Sequence, residues 1–585
     1  MARLRRWWTR LVSWINAREI DEGAPLMIVG AVTGLIAGLG IVVFYLMIDA
    51  SFAILSAWPE RHIAWAGQAI LRVLFTSVGV WLAWLIVRRA HAGEGQNVPD
   101  IQLAVAKRAG VVRIRPVAAR TLASAVTLGS GGSVGSEGPV AVLGASVGSA
   151  LGRALGFRPR HLKILVGCGA AAGIAGAFNA PFAGAFFALE EILGSFSIGA
   201  FSPVVIASVV GALTVRSFLG THPAFHMPAA IDVHPVANAF LYPVLGVACG
   251  LASALYSRLD TLAPRVMRRI GGPEWARPVI GGAIVGAIVV SSRGILAGNG
   301  HLAIPREIFG GLAWYALIAL SLAKILATVI TLGSGGSGGV FTPALFIGAS
   351  LGGGVGSLVA RIFPGHVVQP ASWALVGMAG LVSGATRAPL TAIFIVFELT
   401  NDSGYVVPLM IVSVVAFVTA KRFAPYGLYD GWLAARGEHL AHGVDQSVME
   451  QILVRDAVDS GAPRARPDTS VEALACIMND ARAGAVAIVD ADDALVGIVW
   501  HQELHQALMQ PIGAQAVVIA EDLAEAVESA RPEQSLRDAL ATMNARRRDA
   551  LPVVDAPPNR RPRFVGMISR SAAFAAYDRA LEHAV

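Results

Sequence analysis

Charge is scarce in this chain. Only 15% of its 585 residues are Asp, Glu, Lys or Arg, where soluble proteins carry about a quarter. That deficit excludes an ordinary soluble enzyme, and no nucleophile–base set stands out to suggest one. Cysteine is nearly absent. Cys168, Cys249 and Cys476 lie far apart, without metal-ligand spacing or a disulfide framework, and read as packing residues or inert thiols. His161 and His301 have no partner at ligand spacing, so no metal is expected. A phosphate loop is missing as well: no Gly-Lys-Ser/Thr follows the glycines of Gly129–Pro139, and no strand precedes them. The N-terminus, MARLRRWWTRLVSWINAREI, lacks the unbroken apolar stretch and small-residue cleavage site of a secretory signal.

What is abundant is apolar residues and glycine. The chain is 55% hydrophobic, holds 64 glycines and has a mean hydropathy of +0.62. Membrane helices use glycine for close packing and for breaks. The formal charge of +7 comes from Lys and Arg flanking apolar runs, a topology signal, so no nucleic-acid partner is expected. Residues 1–24 are expected to form a helix on the cytoplasmic face, with Arg3, Arg5, Arg6 and Arg10 in the headgroups and Trp7, Trp8 and Trp14 as anchors.

The string Thr-Leu-Gly-Ser-Gly-Gly-Ser occurs twice, at Thr127–Ser133 and Thr331–Ser337, offset by 204 residues (331 minus 127). Gly135, Pro139 and Gly144 answer Gly339, Pro343 and Gly348. Pro181 and Glu190 then answer Pro389 and Glu398 at an offset of 208 (389 minus 181). The hydrophobic part is therefore an internal duplication, with halves at about 25–220 and 237–430. Duplicated apolar halves with Gly-rich interruptions predict a transporter whose site lies between the repeats.

Leu26–Ile48, Ile70–Val87, Pro203–Leu219 and Trp314–Ile330 are long enough for simple spans. Pro139–Leu151, Leu162–Ala177, Pro181–Leu193, Pro343–Val359, Trp373–Ser383 and Pro389–Leu399 read as short and broken. Short helices at membrane depth require an internal polar site. Past about Asp430 the composition becomes that of a soluble protein, with its own repeat. Ala485–Trp500 resembles Asp549–Arg570, each a strand pair preceded by a helix, at Val471–Asn479 and Ser535–Asn544. This looks like tandem CBS domains, at 447–508 and 518–580, modules that often sense nucleotides.

In GSGGSVGSEGP and GSGGSGGVFTP the glycines open onto helices near Pro139 and Pro343. Unpaired N–H groups and the helix dipole make such a start an anion site. Two of them facing one another would hold a small anion and still release it. Only one copy carries a carboxylate: Glu137 stands where the other has Phe341. Ionised, it can occupy the anion's place; protonated, it can swing aside. Glu190 is matched by Glu398 and reads as a bond to a helix end. Glu191 faces Leu399 across the repeat, an asymmetry that suits a proton entering from one side. Lys324, Arg120 and Arg387 read as interfacial or ion-paired residues near segment ends.

On these motifs the chain resembles the CLC family of chloride channels and proton-coupled chloride transporters, over roughly Ala24–Arg436. Gly135-Ser136-Glu137-Gly138-Pro139 is similar to that family's G-K/R-E-G-P loop, and Gly338-Gly339-Val340-Phe341-Thr342-Pro343 to its G-G-x-F-x-P. The resemblance implies an all-α polytopic membrane fold with an inverted repeat and many broken helices, followed by the α/β CBS pair. It implies a homodimer in the bilayer with one pathway per subunit, passing chloride or a similar monovalent anion in exchange for protons. Glu137 would be the external gate and Glu191, the second Glu of an L-E-E motif, the internal proton acceptor. Gln96, Gly135, Gly339, the amides of Val340 and Phe341, and the Tyr429 hydroxyl would bind the anion.

Two positions depart from the family's pattern. Gln96 replaces the serine of G-S-G-I-P-E, and Ser136 replaces the basic residue before the gate. The implied location is a bacterial inner membrane with the N-terminus and CBS pair cytoplasmic. No cofactor is expected for transport; an adenine nucleotide would fit the CBS pair, with Glu503 holding the ribose. The competing reading is a passive voltage- or pH-gated anion channel regulated by the CBS pair.

Overall fold

The computed structural model describes residues 23–57, 65–90, 97–220, 239–269, 271–300, 312–364, 369–438, 452–481, 483–510, 517–546, 548–555 and 562–584. The helix expected at 1–24 therefore lies, up to residue 22, outside the described residues. The chain divides into two compact units, Met1–Leu440 and Ala441–Val585.

The first unit is helical. Its first half runs α1 (Gly23–Phe52), α2 (Trp65–Arg89), α3 (Val98–Lys107), α4 (Ile114–Gly129), α5 (Glu137–Ala154), α6 (Pro159–Phe178), α7 (Pro181–Phe187) and α8 (Ile198–Leu219). Its second half runs α9 (Tyr242–Arg269), α10 (Ala276–Ser291), α11 (Trp314–Ser334), α12 (Phe341–Ile362), α13 (Pro370–Thr386), α14 (Pro389–Thr400), α15 (Val406–Phe423) and α16 (Leu428–Ala434). Proline opens α6, α7, α13 and α14, where its missing N–H costs no helical bond. Among the described residues seven helical stretches are long and apolar enough to cross a membrane. On α1, Ile28, Val32, Leu35, Leu39, Val43 and Leu46 are exposed, an apolar stripe at helical spacing that suits lipid rather than water.

Four expected spans are found in α1, α2, α8 and α11, though α8 begins at Ile198 and carries Pro203 inside it. Two segments read as short are corrected. The helix over Leu162–Ala177 is the 20-residue α6, and that over Pro343–Val359 is the 22-residue α12; both are long enough to cross. Their glycines are crossing points rather than breaks. A Cβ on Gly144 of α5 would sit 2.0 Å from the Gly169 carbonyl of α6, and one on Gly169 would sit 1.9 Å from the Gly144 carbonyl. The second half repeats this at Gly348 and Gly377, at 2.3 and 2.4 Å. Small residues on both sides let the backbones touch.

The two halves meet by exchange of equivalent bonds. Gly135 N–H donates to Gly339 O, and Gly339 N–H donates to Gly135 O, both at 2.7 Å, an antiparallel bridge. Ser133 N–H donates to Thr331 Oγ1 and Ser337 N–H to Thr127 Oγ1, both at 3.2 Å. The hydroxyl pairs Ser133–Thr328 (3.1 Å) and Ser124–Ser337 (2.9 Å) are likewise equivalent. Residue i of one half touching j of the other, while j's counterpart touches i's, defines a two-fold relation. Its axis passes by the Gly135–Gly339 bridge.

The second unit holds two similar modules. A three-stranded sheet ordered β1-β2-β3 is made from β1 (Arg464–Ala465), β2 (Ala485–Val489) and β3 (Leu495–Trp500), with β1 parallel and β3 antiparallel to β2. β4 (Ala550–Asp555) and β5 (Arg563–Ser569) form the second, antiparallel pair. Each pair breaks register near the end of its first strand, at Ile488/Val489 and Val553/Val554. Helices α17 (Val471–Asp480), α18 (His501–Leu508), α19 (Ala520–Leu523), α20 (Leu536–Arg546) and α21 (Arg570–Ala584) complete the modules. Leu474 and Met478 pack on Val486 and Ile488, as Leu540 and Met543 pack on Leu551 and Val553.

Candidate functional site

Where the two glycine loops meet, α5 and α12 begin two residues before their prolines, at Glu137 and Phe341. Side chains are excluded from the meeting point. A Cβ on Gly135 would lie 2.1 Å, and one on Gly339 2.4 Å, from Glu137 Oε1. The Glu137 side chain fills the space those glycines leave and reaches the opposite half. Its Oε1 accepts from Phe341 N–H at 2.6 Å and its Oε2 from the Thr342 hydroxyl at 2.5 Å. The residue is 1% exposed. A carboxylate thus sits on the start of α12, one of the two N–H clusters that the sequence predicts for an anion.

Phe341, the repeat counterpart of Glu137, points into packing. Its ring lies 5.9 Å from that of Phe178 and 6.4 Å from that of Phe187, centroid to centroid. Ser136 is buried; the position that carries a basic residue in the family's pattern is neutral here.

Beside this junction lies a cavity of about 600 Å3. Asn97, Val98 and Pro99 at the start of α3, Gly138, Gly339, Val340 and Tyr429 all line it. The first turn of α3 is capped by its own Asp100, whose Oδ2 accepts from Asn97 N–H at 3.0 Å. Arg120 donates to Asn97 Oδ1 (3.0 Å), and Arg436 pairs with Asp100 (2.7 Å). The structure therefore brings Gly135, Glu137, Gly339, Val340, Phe341 and Tyr429 to one junction with the start of α3. Gly95 and Gln96 lie outside the described residues.

Glu191 lies on a single π-turn, Ala188–Ile192, that continues α7. Such turns insert a residue and re-aim their neighbours. Here they send consecutive glutamates in different directions. Glu190 accepts from Leu390 N–H (3.1 Å) and Thr391 N–H (2.7 Å) at the start of α14. Glu398 accepts from Phe182 and Ala183 N–H (2.9 and 2.7 Å) at the start of α7. The matched pair are reciprocal helix caps, as their duplication suggested. Glu191 is buried and turns to Gln102 of α3, whose Nε2 donates to its Oε2 (3.0 Å) and to its carbonyl (2.8 Å). Tyr429 lies within electrostatic range of both Glu191 and Glu137.

Among the basic residues, Lys324 differs from expectation. Lys324 has no ion-pair partner among the described residues and is not near a helix end. It is fully buried in the middle of α11, donating to Leu296 O (3.0 Å) and Gly298 O (2.8 Å) with Nζ 5.4 Å from the Phe346 ring centroid. Arg387 ends α13 and donates to Phe417 O and Ala424 O (3.2 and 2.7 Å). Sequence reasoning did not find Gln102, Thr342 or Tyr256, whose hydroxyl donates to Val340 O at 3.3 Å. Gln102 had a signal, a polar amide inside the otherwise apolar run 101–106 of α3.

A family model described as Voltage gated chloride channel matches residues 78–421, more than half of the chain and nearly all of the junction's elements. The chain belongs to the voltage gated chloride channel family. Members of this family transport anions across membranes and are not enzymes. A CBS domain model matches 454–499 and 520–578. The chain is 35% identical to a ClcB-like chloride channel protein of Ralstonia nicotianae, over 58% of this chain and 80% of that protein. It is 28% identical to the H(+)/Cl(-) exchange transporter ClcA of Yersinia pseudotuberculosis, over 70% of this chain and 87% of the transporter. The crystal structure of a slow cyanobacterial Cl-/H+ antiporter superimposes with a TM-score of 0.64 at 24% identity, covering 70% of this chain and 97% of that one. That likeness concerns the fold.

In the CBS part Glu503 lies on α18, 4.0 Å from the Arg548 guanidinium of the second module. Arg548 stacks over the Trp500 ring at 4.8 Å and also pairs with Glu525. Glu503 Oε2 is buried without a hydrogen-bond partner among the described residues.

Proposed function

We propose that this member of the voltage gated chloride channel family exchanges chloride, or a similar monovalent anion, for protons across a bacterial inner membrane. Two copies would each carry their own path, with the N-terminus and CBS pair in the cytoplasm. The observation that carries the reading is the Glu137 carboxylate on Phe341 N–H and Thr342 Oγ1. Those donors serve an anion or the carboxylate, and not both at once. Hydrogen bonds to a charged group are worth about 1.5–3 kcal/mol each. A chloride must replace them with its own contacts, and protonation of Glu137 removes the carboxylate's claim. Each anion arriving then releases a protonated side chain, and competition at one position couples the two flows.

In this reading Val340, Phe341, Gly135, Gly339 and Tyr429 line the anion's path and Gln96 sets part of its selectivity. Glu191 receives the proton on the inner side. A passive channel is the second reading, favoured by the two hydrogen bonds that Gln102 Nε2 donates to the Glu191 carbonyl and Oε2, which give that residue a structural role. An adenine nucleotide at the CBS pair, bound through Glu503, would regulate either one.

Purified protein in liposomes separates these readings when anion and proton fluxes are recorded together. Exchange predicts that a chloride gradient drives protons uphill, and that Glu137→Ala abolishes this while anion flux persists. Glu191→Gln should lower proton flux before anion flux. Uphill proton movement that survives Glu137→Ala would sink the mechanism, and a wild-type protein that moves no protons is a channel.

A further inference from the structure

One buried carboxylate in the membrane unit has no part in the pathway described so far. Asp260 lies on α9, is 1% exposed, and lines the same cavity as Val340, Gly339 and Tyr429. Its Oδ2 accepts from the Trp432 indole N–H at 2.7 Å. No ion-pair partner within 4.0 Å is found for it among the described residues. An ionisable group in a membrane protein that faces a cavity is expensive to keep and marks a substrate or proton route by default.

One helical turn from Asp260, Tyr256 donates its hydroxyl to Val340 O. Tyr256 lies within electrostatic range of Asp260, Glu137 and Tyr429 alike. Together α9 and α16 thus set a carboxylate, two phenols and an indole along the wall between the cavity and the Glu137 junction. Glu191 is differently placed, gripped by Gln102 at the π-turn.

We propose that Asp260 is a second inner proton carrier, standing on the anion's own route and passing protons by way of cavity water and Tyr256 towards Glu137. The proton balance is simple. The Asp260 carboxylate takes a proton from water in the cavity and becomes neutral; the Glu137 carboxylate later receives that proton, and Asp260 is ionised again. The positively charged wall around the cavity favours the ionised half of this cycle, in which Asp260 has given up its proton. Arg265 and Arg268 on α9, Arg277 on α10, Arg88 on α2, Arg120 on α4 and Arg436 line it. Glu274 is the other acid there, and it is engaged by Arg88 at 2.6 Å. Of the further charges on α9 and the elements packed against it, Lys324 turns to the carbonyls of Leu296 and Gly298, Lys421 stacks on Phe417, Arg387 donates to Phe417 O and Ala424 O, Arg258 donates to Phe423 O, and Arg269, Arg361, Arg422 and Asp430 lie at helix ends or on α16. The arginines draw chloride into the cavity, and an acid among them that alternates between neutral and charged lets a proton use the same mouth.

This rests on the exchange reading, and its test keeps the two apart. Asp260→Asn preserves an oxygen for the Trp432 N–H, so a purely structural role leaves transport untouched. In full-length protein in liposomes, Asp260→Asn should cut protons moved per chloride by about ten-fold or more, with chloride flux kept. Asp260→Glu should restore the ratio, and Asp260→Asn with Glu191→Gln should remove the proton flux left in either single variant. A wild-type ratio in Asp260→Asn overturns the proposal while leaving exchange intact. An equal fall of both fluxes that Asp260→Glu does not repair overturns it too, as a folding role. Absence of proton movement in the wild-type protein is the separate outcome in which exchange itself fails.

Discussion

Lys324 shows what a buried charge-bearing side chain does when no carboxylate meets it. Its amino group closes the turn after α10 by donating to Leu296 O and Gly298 O. Removing it orphans two buried acceptors, each worth about 1–3 kcal/mol. Lys324→Met should therefore lower stability by about 2–4 kcal/mol, read as a fall in the thermal unfolding midpoint in detergent, whereas Lys324→Arg should recover most of it. A Met variant as stable as the parent would show that the carbonyls find other partners. The position was misread from sequence because α11 was expected to end at Ile330 with Lys324 near its limit, while its partners come from a turn some 28 residues earlier in the chain. Glu137 was legible for the opposite reason. Its repeat partner is a phenylalanine, and the mismatch stands in the string itself.

Helix starts carry most of the polar chemistry of the membrane unit. Glu190 caps α14 and Glu398 caps α7, each accepting two backbone N–H bonds from the other half. Where water is excluded, nothing else can meet those donors. Because the two caps are equivalent, Glu190→Ala and Glu398→Ala should destabilise by similar amounts, about 2 kcal/mol or more each. Neither should change protons moved per anion in the protein that remains folded. A selective loss of coupling in Glu190→Ala would instead place that residue on the proton route beside Glu191. The sequence disclosed these caps by duplication. It hid the true lengths of α6 and α12, because glycine looks the same whether it breaks a helix or lets two helices touch. Only the contacts at Gly144–Gly169 and Gly348–Gly377 tell these apart.

At the scale of the whole chain the two-fold relation builds the junction and its violations supply the chemistry. Glycine loops, hydroxyl pairs and caps are exchanged equally between halves. Glu137 and Glu191 have no acidic counterpart. Every residue placed on the transport route lies in Met1–Leu440, including Arg436, whose bond to Asp100 steadies the start of α3. On the proposed exchange mechanism, the proton-to-anion ratio is a property of that unit alone. A chain ending after Leu440 should keep the ratio of the full protein when reconstituted, though its turnover is free to change. Nucleotide control, by contrast, needs the second unit. Glu503 Oε1 lies 4.0 Å from Arg548, which leaves Oε2 for a ribose hydroxyl. ATP, ADP or AMP titrated into the full chain should give binding heat and alter flux, and both effects should vanish on truncation and weaken in Glu503→Ala. If the full chain gives no heat with any of the three, the Glu503–Arg548 contact is structural.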